Sequence, residues 1–191
     1  MGFTREELRA FHGGTLPDHL GPHVRLLFVG INPGLMTIAT GTHFGRPGNR
    51  FYPALVAAGI LPRLPVLDGT PVDAQALLTA AGIGITSIVP HATARADELT
   101  REQLRAGAVR LAETVGRVKP RAVAIVGITA YRVAFERPKA VVGRQLDDLS
   151  GSPLWVVPNP SGLNAHDTVA SLAAAYSEPA RAAGLIPPVH P

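Results

Sequence analysis

The chain has 191 residues, 46% of them hydrophobic, which is enough apolar surface for a single domain over 1–191 with its ordered core at about 20–186. Against 14 Asp and Glu stand 18 Lys and Arg, a formal net charge of +4 that suits a polyanionic partner through a localised basic face. With no cysteine, the sequence excludes disulfides, thiolate zinc sites, iron–sulfur clusters and a cysteine nucleophile. The first residues lack a basic stretch followed by an apolar run, and no window approaches the roughly 18 apolar residues of a membrane span. The expectation is a cytoplasmic protein without membrane contact, nucleoid-associated if bacterial.

Thr4 and Glu7 have capping-box spacing, which predicts a short helix through about Phe11, ahead of the Gly13-Gly14 break. Arg25 to Gly30 is an apolar run that passes into Gly-Ile-Asn-Pro-Gly, the pattern of a buried strand entering a loop. The Pro-rich stretch from Leu61 to Pro71 reads as a surface connection within the domain. Ile83 to Val89 gives a second strand. Thr100 with Gln103 then caps a helix to Val118, along which Leu104, Ala108, Leu111, Val115 and Val118 form one apolar face. Ala122 to Gly127 and Leu154 to Val157 give a third and a fourth strand, and the tail from Pro187 to Pro191 is expected to fray. Continuously apolar strands alternating with helices predict an α/β three-layer sandwich: a central, mainly parallel four-stranded sheet flanked by helices and joined by right-handed crossovers.

In such a sheet the ligand crevice lies beyond the carboxyl ends of the strands. Two ends stand out. The first strand runs into Gly30-Ile31-Asn32-Pro33-Gly34 and on to His43-Phe44-Gly45-Arg46-Pro47-Gly48-Asn49-Arg50-Phe51. The fourth runs into Pro158-Asn159-Pro160-Ser161-Gly162-Leu163-Asn164-Ala165-His166. No Asp or Glu occurs from Arg25 to Leu67, so a phosphate backbone meets no local repulsion, and His43, Arg46, Arg50 and His166 are candidate attractors. Gly82-Ile83-Gly84 lacks the third glycine of a dinucleotide fingerprint and precedes a strand. There is no Gly-Lys-Ser/Thr phosphate loop, and His12, His19 and His23 have no companion ligand set, so neither a cofactor nor a metal is expected. Ser161 has His166 five residues on but no orienting acid, which argues against a serine hydrolase.

The two loops together resemble those of the mismatch-specific uracil and thymine DNA glycosylases, a branch of the uracil-DNA glycosylase superfamily. The resemblance rests on Gly-Ile-Asn-Pro-Gly at Gly30 to Gly34 and Asn-Pro-Ser-Gly-Leu at Asn159 to Leu163. Pro-Gly-Asn-Arg-Phe-Tyr at Pro47 to Tyr52 and Gly-Ile-Gly-Ile-Thr at Gly82 to Thr86 extend it, so that it spans about Leu26 to Tyr176. It implies a repair enzyme that flips a uracil, or a thymine or related pyrimidine, out of mismatched duplex DNA and hydrolyses its glycosidic bond, leaving an abasic site. It implies that Asn32 positions the attacking water, that Phe44 stacks on the extruded base, and that main-chain groups near Ile31 read the base edge. Gly162-Leu163-Asn164 is then a wedge that fills the vacated stack. The implied partner is double-stranded DNA carrying G:U or a related mispair, bound by a monomer.

Each residue also has a plainer reading. Asn32 could be a turn-forming amide before Pro33, Phe44 a core aromatic, and Leu163 a staple onto the next helix. Asn159 either fixes its loop or contacts base or backbone, and Asn49 and Arg50 either brace the first loop or touch DNA. Ser87 and His91 follow another strand end and are next in line for the water. Thr37 and Ile38 lie where the resemblance puts the screen over the base 5-position. The absence of Tyr from Gly34 to Thr42 leaves β-branched Thr37 to crowd a methyl group. Ala165 and His166 replace the Arg that several relatives carry after the wedge. Lys119 and Lys139, the two lysines, are expected at the amino edge of the sheet, out of reach of the sugar, which predicts a monofunctional enzyme. The alternatives are a DNA-binding domain on the same fold that does not cleave, and a nucleoside hydrolase, which would need no wedge.

Overall fold

A computed structural model describes residues 2–162 and 166–188. In chain order the elements are α1 (Arg5–Arg9), β1 (Leu26–Gly30), α2 (Leu35–Thr40), α3 (Phe51–Ala57), α4 (Val72–Ala81), β2 (Ile83–Ser87), α5 (Arg101–Val118), β3 (Ala122–Val126), α6 (Ile128–Ala134), β4 (Gly143–Arg144), β5 (Leu154–Val157) and α7 (Val169–Ala182). The capping boxes form where the spacing predicts them. Thr4 Oγ1 accepts from Glu7 N at 3.2 Å, and Thr100 Oγ1 accepts from Gln103 N at 3.2 Å. Helix α1 nonetheless stops at Arg9, two residues short of the expectation.

The sheet order is β2-β1-β3-β5-β4. All four predicted strands are present and mutually parallel, but the sheet has five strands, because β4 pairs antiparallel with β5 on the outer edge. Two residues are too few to show a periodicity, so β4 left no signal in the sequence. Strand β2 also ends at Ser87 rather than Val89. There the Ile88 and Val89 amides donate to the Gly30 and Ile31 carbonyls, both at 2.9 Å, and lead the chain across the end of β1.

Alternation along the buried strands splits the core into two layers. Leu26 and Phe28, with Ile83, Ile85, Ala124 and Val157, face Phe51, Leu55, Leu78, Leu172 and Tyr176 from α3, α4 and α7. Leu27 and Val29, with Val123, Ile125 and Val156, face Leu104, Leu111, Val115, Ala130 and Tyr131 from α5 and α6. Every residue of the four parallel strands is buried, as a sheet covered on both faces requires. From β1 the chain moves to β2 on one side and then crosses to β3 on the other. The carboxyl end of β1 is therefore the switch point at which an open α/β sheet leaves a crevice.

The chain ahead of residue 20 is tied into this frame, since His19 and Ile85 exchange both main-chain hydrogen bonds at 2.8 Å. The Pro-rich 61–71 segment runs along the surface as expected, anchored by the buried Leu61 and Pro65. It is held there by the Arg63 guanidinium, which donates to both oxygens of Asp73. No helix among the described residues is long and apolar enough to cross a membrane.

Candidate active site

At the switch point lies a cavity of about 160 Å³. Ile31, Asn32, Thr37, Phe44, Arg46, Asn49 and Asn159, all picked out from sequence, line it together with Ser87 and His43. That volume is well below the roughly 300 Å³ at which drug-sized pockets begin, and it suits a single small ring.

Asn32 is held by its amide nitrogen. Nδ2 donates to the His91 carbonyl at 3.0 Å and to Thr93 Oγ1 at 2.8 Å. Because a carbonyl can only accept, the His91 contact fixes which end of the amide is nitrogen. Thr93 Oγ1 spends its own proton on the Arg95 carbonyl at 2.7 Å, so the direction of the relay is set as well. With both nitrogen-bound hydrogens engaged, the group that Asn32 has left to offer is Oδ1, an acceptor that cannot ionise. The turn-forming alternative does not account for two bonds to residues some sixty positions away in sequence. Thr93 was not singled out from sequence. Its signal was topological: β2 is the parallel neighbour of β1, and the connection leaving β2 has to pass the end of β1. Of the two residues weighed there, Ser87 is buried and lines the cavity, whereas the His91 side chain is exposed and serves through its carbonyl.

Phe44 has φ +56°, a left-handed conformation that a bulky residue adopts at a cost of order 1–3 kcal/mol. The strain is held in place from two sides. One face of the ring stacks on Phe51, with centroids 4.1 Å apart and planes 22° from parallel, while the ring also lines the cavity. Just upstream, the buried Tyr52 hydroxyl donates to the His43 carbonyl at 2.9 Å, and burial pushes that phenol up so that it keeps its proton. Thr37 on α2 is buried and forms another part of the lining.

His43 is corrected from candidate cation to structural group. It is 8% exposed, its Nε2 pairs with the Pro17 carbonyl at 3.1 Å and must donate there, and burial holds its imidazolium below the ordinary range. A neutral ring offers a phosphate no charge.

Of the two readings of Arg50, its contacts fit a brace, although the loop it holds is the second and not the first. Its guanidinium turns away from solvent and donates to the Ser161 carbonyl at 2.6 Å and to the Asp167 carbonyl, gripping both feet of the second loop. The Arg50 amide adds a bond to the Pro160 carbonyl at 3.0 Å. Asn49 Oδ1 accepts from Phe51 N at 2.9 Å at the start of α3, and Asn159 Oδ1 accepts from Ser161 N at 3.0 Å. Tyr176, buried on α7, donates its hydroxyl to the Pro158 carbonyl at 3.1 Å. A buried tyrosine thus fixes the base of each loop.

The loops approach closely enough that a Cβ on Gly162 would lie 2.8 Å from the Gly48 carbonyl oxygen. Arg46, Gly48, Asn49, Ser161 and Gly162 line a groove continuous with the cavity. Arg46 and His166 are exposed. Leu163 and Asn164, the expected wedge, lie outside the described residues.

Lys119 ends α5 directly ahead of β3, at the amino edge. Lys139 differs from the expectation. The chain after α6 climbs back toward the carboxyl edge, where Val142 comes beside Pro158 and Asn159, and Lys139 lies partway along this climb. It lines a separate cavity with Tyr131, Gln145 and Leu146, which shares no residue with the one at Asn32.

Comparison with known proteins agrees with this architecture. The solution NMR structure of a protein from Methanosarcina acetivorans, provisionally assigned as a uracil DNA glycosylase, superposes with a TM-score of 0.59 over 86% of this chain and 96% of its own, at 17% identity. At that identity the likeness shows the fold. The family model described as the uracil DNA glycosylase superfamily matches residues 17–178, the span that contains both loops and every strand. That match supports glycosylase hydrolysis in general, with DNA as the partner. The chain belongs to the uracil DNA glycosylase superfamily.

Proposed function

We propose that the protein is a monofunctional DNA glycosylase that removes uracil from mismatched duplex DNA, with buried Thr37 in the cavity wall placed to crowd the 5-methyl group of a thymine. The observation that carries the reading is Asn32. Its nitrogen is engaged twice, so its oxygen is the end available in a base-sized cavity walled by Phe44. A water donating to Oδ1 is oriented toward the sugar C1′ of a flipped nucleotide. As the C1′–N bond breaks, its electron pair leaves on the base, the water oxygen bonds to C1′, and the water's proton passes to solvent or to the departing base. Asn32 orients and does not abstract, so most of the rate must come from stabilising the leaving base and the cationic sugar. Ser87, buried in the lining with a hydroxyl that can donate or accept, is the side chain we assign to the base edge. Leu163 as wedge and Arg46 and His166 as phosphate contacts complete the proposal.

The discriminating experiment is incubation with G:U, A:U and G:T duplexes and with single-stranded uracil DNA, followed by alkali. Cleavage at the mispaired base, with strands intact until alkali is added, is the expected result. Tight binding without cleavage on any substrate would favour a binding domain, and release of base from free nucleosides would favour a nucleoside hydrolase.

A further inference from the structure

The support of Asn32 does not end at Thr93. Residues 13–19 run antiparallel to the outer edge of β2 and to the connection beyond it. Within this strap the Gly13 amide donates to the Ala92 carbonyl and the Ala92 amide to the Gly14 carbonyl, each at 2.8 Å. Ala92 is fully buried and sits between His91 and Thr93, the two residues that hold the Asn32 amide. The same strap reaches two further walls of the cavity. The Pro17 carbonyl takes the His43 ring N–H, one residue before Phe44. Gly14 packs so closely that a Cβ would lie 3.0 Å from the Phe11 carbonyl oxygen and 3.2 Å from Ile38 Cγ2, and Ile38 follows Thr37 on α2. A side chain adds another tie, with His12 Nε2 3.3 Å from a Glu98 carboxylate oxygen. The other oxygen of Glu98 accepts from Arg95 N, and the Arg95 carbonyl accepts the Thr93 hydroxyl.

We propose that this strap is a positioning device: by clamping Ala92 between Gly13 and Gly14 it sets the geometry of Asn32, and so governs the cleavage step without touching substrate. The proposal rests on the assignment of Asn32 as the water-holding group. Gly13 and Gly14 lie ahead of the residues matched by the family pattern, 17–178, while the Ala92 they hold lies within them. Its leverage follows from geometry, because an error of about 1 Å in a reacting group costs on the order of a hundredfold in rate.

The test is Gly14→Val in the full chain, assayed under single turnover on a G:U duplex. The rate should fall roughly tenfold or more. Affinity for the same duplex carrying a non-hydrolysable 2′-fluoro uridine should stay within about twofold. In a Thr93→Val background, where one of the two groups the clamp positions is gone and the His91 carbonyl remains, the same change should cost clearly less than it does in the parent protein. An equal loss in both backgrounds, or affinity falling in step with rate, overturns the proposal. Gly14→Ala is the milder variant, read by proton exchange at the Asn32 side-chain amide in NMR spectra. Faster exchange than in the parent protein is expected, and unchanged exchange overturns the clamp. Should the parent protein excise uracil from no duplex, the assignment of Asn32 fails and the clamp with it. If it cleaves and Gly14→Val cleaves equally well, the clamp alone is refuted.

Discussion

In the proposed mechanism Asn32, a residue without acid or base strength, organises the hydrolysis through Oδ1, because its two nitrogen-bound hydrogens are committed to His91 and Thr93. Asn32→Ala should lower single-turnover excision by at least about two orders of magnitude, the scale of removing one preorganised polar group, with duplex affinity little changed. Thr93→Val should reproduce part of that loss, and Thr93→Ser should restore the rate, since the hydroxyl rather than the methyl makes the bond. His43 gives a pH prediction. Burial depresses its protonation in the folded protein, whereas the unfolded chain takes up the proton near the ordinary value of about 6.5. Stability is therefore complete above that value and declines as pH falls through it toward the lower folded value. Melting curves between pH 7.5 and 5.5 should show this decline, and His43→Gln should flatten it. His19, also lowered by burial, adds a contribution of the same sign that survives the substitution.

Among the elements, the strands and the capped α5 were legible because burial on both faces leaves unbroken apolar runs and because capping boxes have fixed spacing. Strand β4 was not legible, being two residues long, and neither was the strap at 13–19, whose bonds are made by the main chain and carry no side-chain signature. The same physics explains Arg50. Its position beside Gly-Asn marked it as a loop cation, but whether a guanidinium faces a phosphate or a carbonyl depends on what the second loop brings 111 and 117 residues later. As a staple across that loop it makes a prediction of its own. Arg50→Met leaves two carbonyls short of a donor and should cost about 1–3 kcal/mol in unfolding free energy. If the loop carries the wedge, excision from duplex should fall more than excision from single strands, where no stack has to be filled. Equal losses would limit Arg50 to holding the fold.

For the whole molecule, the sheet order puts the carboxyl end of β1 at the switch point, and an acid-free stretch from Arg25 to Leu67 passes through it. Binding to duplex should weaken steeply as salt rises, because ionic contacts to phosphate release counterions. Lys119 lies at the opposite edge and Lys139 beside another cavity, and the arginines stay protonated, so among the described residues neither lysine lines the cavity at Asn32 where a Schiff base with the sugar would form. Borohydride should therefore trap no covalent adduct on a uracil duplex, and a lysine-dependent adduct would refute the monofunctional assignment. The fold and most of the cavity lining were legible in the sequence, because two short motifs at strand ends determine where the crevice lies. The orientation of Asn32 was not, since it depends on Thr93 and His91 arriving from a neighbouring strand. The most direct test of the account is the single-turnover rate of uracil release from a G:U duplex by the parent protein and by Asn32→Ala at saturating enzyme. The account predicts release by the parent and a loss of at least about a hundredfold in the variant at unchanged affinity; comparable rates from the two proteins would contradict it.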